Sequence, residues 1–404
     1  MSEGVVIVGG GQAAASAAAK LRELDKDVAI TLICGEPVLP YQRPPLSKKY
    51  LSGEMPIERL ILRPQEWYDE QNIHVRCGRY VKSINRAEKL VKLAGGAQLP
   101  YDKLLLTTGS TARLLPASMG AEARGVHYLR ATDHADGMRP VLVRDRKLVV
   151  IGGGYIGLEV AAVAAQMALD VTVVEVAERI LQRVASPATS DFFRNLHSEN
   201  GVEILESTGL KEIMVSGGRL GGVTLEDGTS LDADMVLVGI GVLPHAELAE
   251  DCGLKVDNGI VVDAYCATDD PDIFAAGDCA SFPYNGTHIR LESVPNAIHQ
   301  AEVAAQNMLG ANLTYQATPW FWSDQYEIKL QIAGLNTGYD STVSRPGKRE
   351  GSQSIWYYQE DQLLAVDAMN DAPSFMMARR ILEAGKSVPK EVAADASVNL
   401  KDWV

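Results

Sequence analysis

The chain has 404 residues, enough for two or three domains, with 46% apolar and 22% charged residues, the balance of a globular protein with a full core. Its net charge of −14 argues against nucleic acid or an anionic membrane as the main partner, and no apolar run reaches the roughly 18–20 residues a membrane span needs. The five cysteines (Cys34, Cys77, Cys252, Cys266, Cys279) form neither a C-x-x-C pair nor a metal-ligand spacing, so no metal or iron–sulfur site is expected and buried free thiols are.

The first predicted strand, Val5–Val8, starts with no basic stretch ahead of it, which reads as a cytoplasmic protein rather than one with a signal peptide. Gly9, Gly10 and Gly11 follow, then an Ala-rich helix to about Leu24. Gly9 and Gly11 fill two glycine slots of a dinucleotide fingerprint, with Ala14 in the third. A second strand, Val28–Cys34, ends near Glu36, 27 residues after Gly9. A carboxylate there suits the hydroxyls of an adenosine ribose, and a solvated loop acid is the competing reading. In Tyr41-Gln-Arg-Pro-Pro-Leu-Ser-Lys48, Pro44 and Pro45 stiffen the chain and hold Arg43 and Lys48. Two fixed cations suit an anionic cofactor or the N1–C2=O edge of a reduced flavin. A plain Pro-rich surface loop is the alternative. Residues 75–93 are expected to hold two strands. Leu104–Gly109 is expected to hold a third, ending in Thr107-Thr108-Gly109.

Near Arg130 and Ala131 the chain turns helical. Val149–Ile151 then runs into Gly152, Gly154 and Gly157, followed by a helical run over 160–168. This complete G-x-G-x-x-G recurs 143 positions after the first cradle, and two cradles are hard to explain by packing alone. The next strand, Val171–Val174, ends at Glu175. A carboxylate there accepts the 2′-OH of NAD and repels the 2′-phosphate of NADP, with Arg179 and Arg183 nearby. Short strands over 202–231 read as a small antiparallel meander. Met235–Gly241 and Asp272–Asp278 are strands ending in glycine, and Asp278 suits a sugar-alcohol hydroxyl. A helix is expected at about Pro295–Leu309. Four of the five tryptophans fall in the last 85 residues, with strands expected at 328–335, 354–358 and 363–368 and a helix at 374–384. The fold class is therefore α/β: two Rossmann-like dinucleotide-binding domains in a glutathione-reductase-like arrangement, plus a C-terminal α+β domain.

Read together, GGGQAA, YQRPPLSK, TTGSTAR, IGGGYIGLEVA, DIFAAGDCA, LESVPNAIHQA and PWFWSDQ resemble the FAD-dependent NADH:ferredoxin reductases of bacterial oxygenase systems, the putidaredoxin reductase-like group. The resemblance implies an FAD-binding domain in two pieces (1–109 and 242–319), an NAD-binding domain (110–241) and a C-terminal domain (320–404). It implies FAD contacts at Ala13, Glu36, Arg43, Lys48, Val81, Arg130, Asp278 and Val294, the last through its backbone N–H. Thr108, Gly109, Gly241 and Gly277 complete the expected cofactor turns. NADH would rest on Gly152–Gly157 (Ile156 included), Glu175 and Arg183, with Glu159 and Glu292 near the carboxamide. Tyr155 would cover the flavin face, and Lys48 would stabilise the reduced flavin. Trp320 and Trp322 would lie between the flavin and the ferredoxin surface.

The resemblance implies a [2Fe–2S] ferredoxin as partner and, behind it, an oxygenase, with a cytochrome P450 mono-oxygenase favoured over a Rieske dioxygenase. An NADH oxidase or a rubredoxin reductase is the enzymatic alternative, and a redox-sensing flavoprotein resembling apoptosis-inducing factor is the alternative of another class. The redox cysteines of the disulfide reductases are missing after the second strand, so electrons must leave from the flavin. Because such ferredoxins are acidic, docking needs a basic patch, with Arg59, Arg63, Arg290, Lys329, Arg345, Lys348 and Arg349 as candidates.

Overall fold

The apolar runs become two parallel sheets in the computed structural model, which describes residues 4–404. The chain divides into two units. One holds the described residues up to Arg43, Ile57–Thr111 and Val242–Pro319; the other holds Pro44–Pro56, Ala112–Gly241 and Trp320–Val404. The two expected pieces of the FAD-binding domain share the first unit, except that residues 44–56 belong to the second. The second unit holds the stretches expected to bind NAD and to form the C-terminal domain, each with its own sheet.

In the first unit the strands Ile273–Ala275, Lys103–Leu106, Val5–Val8, Ile30–Ile33 and Ile73–Arg76 lie side by side in that order, all parallel. Val5–Val8 is buried along its whole length, as β-branched residues covered on both faces should be. It sits where the strand order reverses, so its C-terminal end opens at the switch point where ligands bind in such sheets. The helices Gln12–Leu24 and Val294–Met308 pack together through their alanines: Ala13, Ala14, Ala17, Ala297, Ala301 and Ala304 are all buried. Residues 75–93 contain three strand segments rather than two. Ile73–Arg76 joins the parallel sheet, while Val81–Asn85 and Leu90–Leu93 pair antiparallel with each other. The turn at Gly78 (φ +65°) separates the two roles.

In the second unit Glu203–Leu205, Asp170–Val174, Lys147–Ile151, Met235–Val238 and Val126–His127 form the other parallel sheet. Glu203–Leu205 thus belongs to this sheet and not to the expected meander, which starts at Leu210. The helix after the second cradle spans Tyr155–Gln166 and stops before Ala168, which is left-handed (φ +63°). A helix without a sequence-based expectation, Pro187–Glu199, is capped by the Ser186 hydroxyl and has Pro187 in its first turn.

The C-terminal sheet is antiparallel, in the order Trp320–Gln325, Ile328–Gly334, Gln362–Met369, Gln353–Gln359, Ser341–Pro346, with the helix Ala372–Glu383 packed on it. Its first and last strands had no sequence-based expectation. Asp367 is fully buried here and accepts from Thr189 (2.8 Å) and Tyr357; burial pushes its carboxyl up to about 6. Among the described residues no helix is long and apolar enough to cross a membrane, and no cluster of three His, Cys, Asp or Glu is placed to hold a metal.

Arg345, read above as a docking cation, is 6% exposed. Its guanidinium donates to the carbonyls of Val392, Ala393, Asp395, Ala396 and Val398, closing the C-terminal end of the helix Lys390–Ala394. It is an internal brace because those carbonyls have no helical donor of their own. Arg345→Ala should cost about 3 kcal/mol, seen as a lower midpoint of thermal unfolding, without weakening ferredoxin binding by the molecules still folded.

Candidate active site

Each cradle is built by glycines with different duties. In the first unit, Gly9 has φ +133° and a Cβ there would lie 2.1 Å from the Thr107 carbonyl oxygen, so only glycine lets the chain turn against that strand. Gly11, the N-cap of Gln12–Leu24, is extended (φ −102°), and a Cβ on it would meet nothing within 4 Å. The space at the helix N-terminus is therefore open, and the unpaired N–H groups of the first turn face it. Ala13 lies against Gly277 (φ +84°), whose added Cβ would come within 3.2 Å of the Ala13 methyl. Ala14, in the third slot, is fully buried.

Glu36 is not a free loop acid. It pairs with Arg43 at 2.5 Å and accepts from the Tyr41 hydroxyl at 2.6 Å, while Arg43 stacks over the Tyr41 ring. Burial opposes the charge of Arg43, but Tyr41, Glu36 and Asp278 beside it raise its pKa on balance. Asp278 accepts from the Ser110 hydroxyl (2.9 Å), Thr108 donates to the His245 carbonyl, and Gly109 is left-handed at the same strand end. Val81 opens the antiparallel strand Val81–Asn85. Val294 is the first residue of a helix capped by Ser293, so its N–H has no partner within the helix, as an N–H offered to a flavin edge requires. Glu292 pairs with Arg290, whose side chain is only 10% exposed; that pairing and burial remove Arg290 from the docking candidates. Of the others, Arg59, Arg63, Lys329, Lys348 and Arg349 are exposed.

The second cradle repeats the design. Cβ atoms on Gly152 (φ +107°) and Gly157 would lie 2.5 and 2.2 Å from backbone oxygens, whereas one on Gly154, the N-cap, would meet nothing within 4 Å. Glu175 accepts from the backbone N–H groups of Gly153 (2.6 Å) and Ala177 (2.8 Å), so it pins the turn as well as carrying the charge expected to face a ribose. Arg183 reaches toward Gly241, whereas Arg179 is committed to the Ser190 hydroxyl (2.6 Å). Ile156 is partly exposed, and Arg130 donates its backbone N–H to His134. Both glycine turns fit a pyrophosphate: a side chain at Gly11 or Gly154 would fill the space that such a group would take.

Arg43 and Lys48, read as one cationic pair, take different partners. A 3-10 turn at Pro44–Ser47 carries Lys48 to Glu159, at 2.6 Å, in the second unit. Glu159 is 4% exposed and also accepts from Ser47 (2.5 Å) and Ser323 (2.7 Å). The sequence carried no signal for either serine, since both become partners only when distant stretches meet. Tyr155 packs on Phe321 (ring centroids 4.9 Å apart), and its hydroxyl is buried without a hydrogen-bond partner. Burial pushes that phenol well above its ordinary range. Trp320 lies 5.6 Å from Trp322, with Arg379 over its ring at 5.4 Å.

Comparison with known proteins agrees with this geometry. Residues 3–301 match the family described as pyridine nucleotide-disulphide oxidoreductase, and residues 320–404 match a reductase C-terminal family. Rhodocoxin reductase of Rhodococcus erythropolis is 45% identical, covering 98% of this chain and 93% of its own. The reductase in the covalent putidaredoxin reductase–putidaredoxin complex is 42% identical, with a TM-score of 0.95 over 100% of this chain and 98% of its own. The ferredoxin reductase for the CYP199A2 system of Rhodopseudomonas palustris is 40% identical, with a TM-score of 0.95 and 98% of each chain covered.

Proposed function

Because the chain belongs to the pyridine nucleotide-disulphide oxidoreductase family, in its ferredoxin reductase branch, we propose that it passes electrons from NADH through FAD to a [2Fe–2S] ferredoxin serving an oxygenase. The observation that carries the cofactor reading is the pair of open helix N-termini, at Gly11 in one unit and Gly154 in the other. Bound FAD would supply the conversion of a two-electron donor into two single-electron steps.

The chain's own groups hold and tune. The cradle at Gly9–Gly11 takes the FAD pyrophosphate, Glu36 its ribose, Asp278 its ribityl chain, and the Val294 N–H its pyrimidine edge. The cradle at Gly152–Gly157 takes the pyrophosphate of NADH, Glu175 its adenosine ribose, and Glu159 its carboxamide. No side chain has to act as acid or base. Lys48 serves as a fixed positive charge that favours electron-rich reduced flavin. Trp320 and Trp322 line the exit toward the ferredoxin. The oxygenase is a cytochrome P450 mono-oxygenase, in the cytoplasm where NADH is available, and purified P450 and Rieske oxygenases reconstituted with the neighbouring ferredoxin would separate the two classes.

Stopped-flow spectroscopy tests the main reading. NADH should reduce the flavin rapidly without oxygen, added ferredoxin should reoxidise it rapidly, and air slowly. Reoxidation by air as fast as by ferredoxin would mark an oxidase, and slow reduction with a persistent charge-transfer band would mark a redox sensor. Glu175→Ala should lower kcat/KM for NADH about tenfold, through loss of two backbone anchors and the ribose partner, and should lower it less for NADPH. Equal losses with both nucleotides would remove Glu175 from the choice between them.

A further inference from the structure

The buried carboxylate of Glu159 is the end of a longer line of hydrogen bonds. Ser323 donates to it at 2.7 Å, the Gln325 amide N–H donates to Ser323 at 3.2 Å, and the Gln325 carbonyl oxygen meets His197 Nε2 at 2.8 Å. Beyond it, the Tyr326 hydroxyl lies 3.4 Å from His197 Nδ1. Ser323, Gln325 and His197 are each no more than 1% exposed.

The donors run in one direction. Gln325 uses its N–H₂ on Ser323, so its oxygen must accept, which makes His197 the Nε2–H tautomer and leaves Nδ1 to accept from Tyr326. Burial lowers the pKa of His197, which keeps the ring neutral as this arrangement requires. Every dipole then points its positive end toward Glu159, and bonds aligned in this way strengthen one another in a poorly solvated interior.

The backbone bears a cost for the far end. Gln325 and Ile328 pair across a two-residue hairpin, and Tyr326 in that turn is left-handed (φ +52°), a position that glycine or asparagine fills without strain. Tyrosine there puts a ring against His197 (centroids 5.2 Å apart) and a hydroxyl at Nδ1.

We propose that Ser323, Gln325 and His197 are positioning residues for NADH: their one-directional hydrogen-bond line holds the Glu159 carboxylate aimed for the nicotinamide carboxamide. The proposal rests on the reading of Glu159 as the carboxamide partner. It does not use the line as a proton path, because the Gln325 amide would have to tautomerise to pass a proton.

The test measures NAD⁺ binding to the oxidised, FAD-loaded protein by calorimetry. Glu159→Gln should weaken binding, Ser323→Ala should weaken it roughly tenfold, and Gln325→Ala, one bond further away, roughly threefold. Ser323→Ala enzyme should keep the flavin content and far-ultraviolet circular dichroism of the parent, which a general disturbance of the fold would not allow. ¹⁵N NMR of labelled histidine should show His197 as the neutral Nε2–H tautomer. If Glu159→Gln leaves NAD⁺ affinity unchanged, the carboxamide reading itself fails. If Glu159→Gln weakens binding while Ser323→Ala and Gln325→Ala do not, or if His197 proves to be the Nδ1–H tautomer, the positioning line is overturned.

Discussion

Gly11→Val is expected to give a folded protein without flavin, and Gly154→Val a yellow protein that NADH no longer reduces. Neither position needs glycine for its backbone. Both are extended N-caps, and a Cβ at either meets nothing within 4 Å, so the chain accepts valine without strain. What valine removes is the space in front of the first N–H groups of each helix, where a pyrophosphate gains both the hydrogen bonds and the helix dipole. Losing two such contacts to a charged group is worth on the order of 3 kcal/mol, or about a hundredfold in affinity. Far-ultraviolet circular dichroism should be unaltered in both variants, and the flavin absorbance lost only in the first. Gly9→Ala makes the contrast. Its Cβ would sit 2.1 Å from a carbonyl oxygen at φ +133°, so it should unfold the cradle along with the site. If Gly11→Val retains a full complement of FAD, the first cradle is not the pyrophosphate site.

The second large effect is expected from Lys48→Met. It leaves Glu159, 4% exposed, with two serine donors and no counter-charge. Removing one partner of a buried ion pair typically costs about 3–5 kcal/mol, because the other charge is stranded. The variant should therefore unfold at a lower temperature than the parent at neutral pH. Reduction by NADH should slow on the order of a hundredfold, through loss of the positive charge. The double variant Lys48→Met/Glu159→Gln should recover the stability but not the rate. Recovery of both would reduce Lys48 to a structural counter-ion.

The parts legible in the sequence were those with short-range causes. The two cradles, Glu175 and the strand ends at Gly109 and Asp278 follow from steric and charge demands satisfied within a few residues. The helix Pro187–Glu199 carries a local signal that went unread, Ser186 as a cap and Pro187 after it. What escaped depends on which distant stretches meet. Arg345 resembles any surface arginine until the carbonyls near Val392–Val398 close around it. Ser47 and Ser323 are ordinary serines until Glu159 lies between them. The strand Trp320–Gln325 escaped because its period-2 pattern is hidden: one face carries tryptophans and the other Phe321, Ser323 and Gln325, and aromatic residues fall on both.

That alternation makes the strand an odd-and-even device. Even position 320 holds its indole against Phe375 and Arg379 with Trp322 beside it, while odd positions 321, 323 and 325 meet Tyr155, Glu159 and His197. Anyone splicing the last domain of one such reductase onto another, to change the acceptor it serves, inherits a parity condition. A junction inside the strand that adds or drops one residue exchanges the two faces for the residues beyond it and loses their contacts, whereas a change of two keeps each side chain on its own face. Chimaeras that express well yet have lost NADH affinity and acceptor turnover together should be checked first for an odd-numbered insertion.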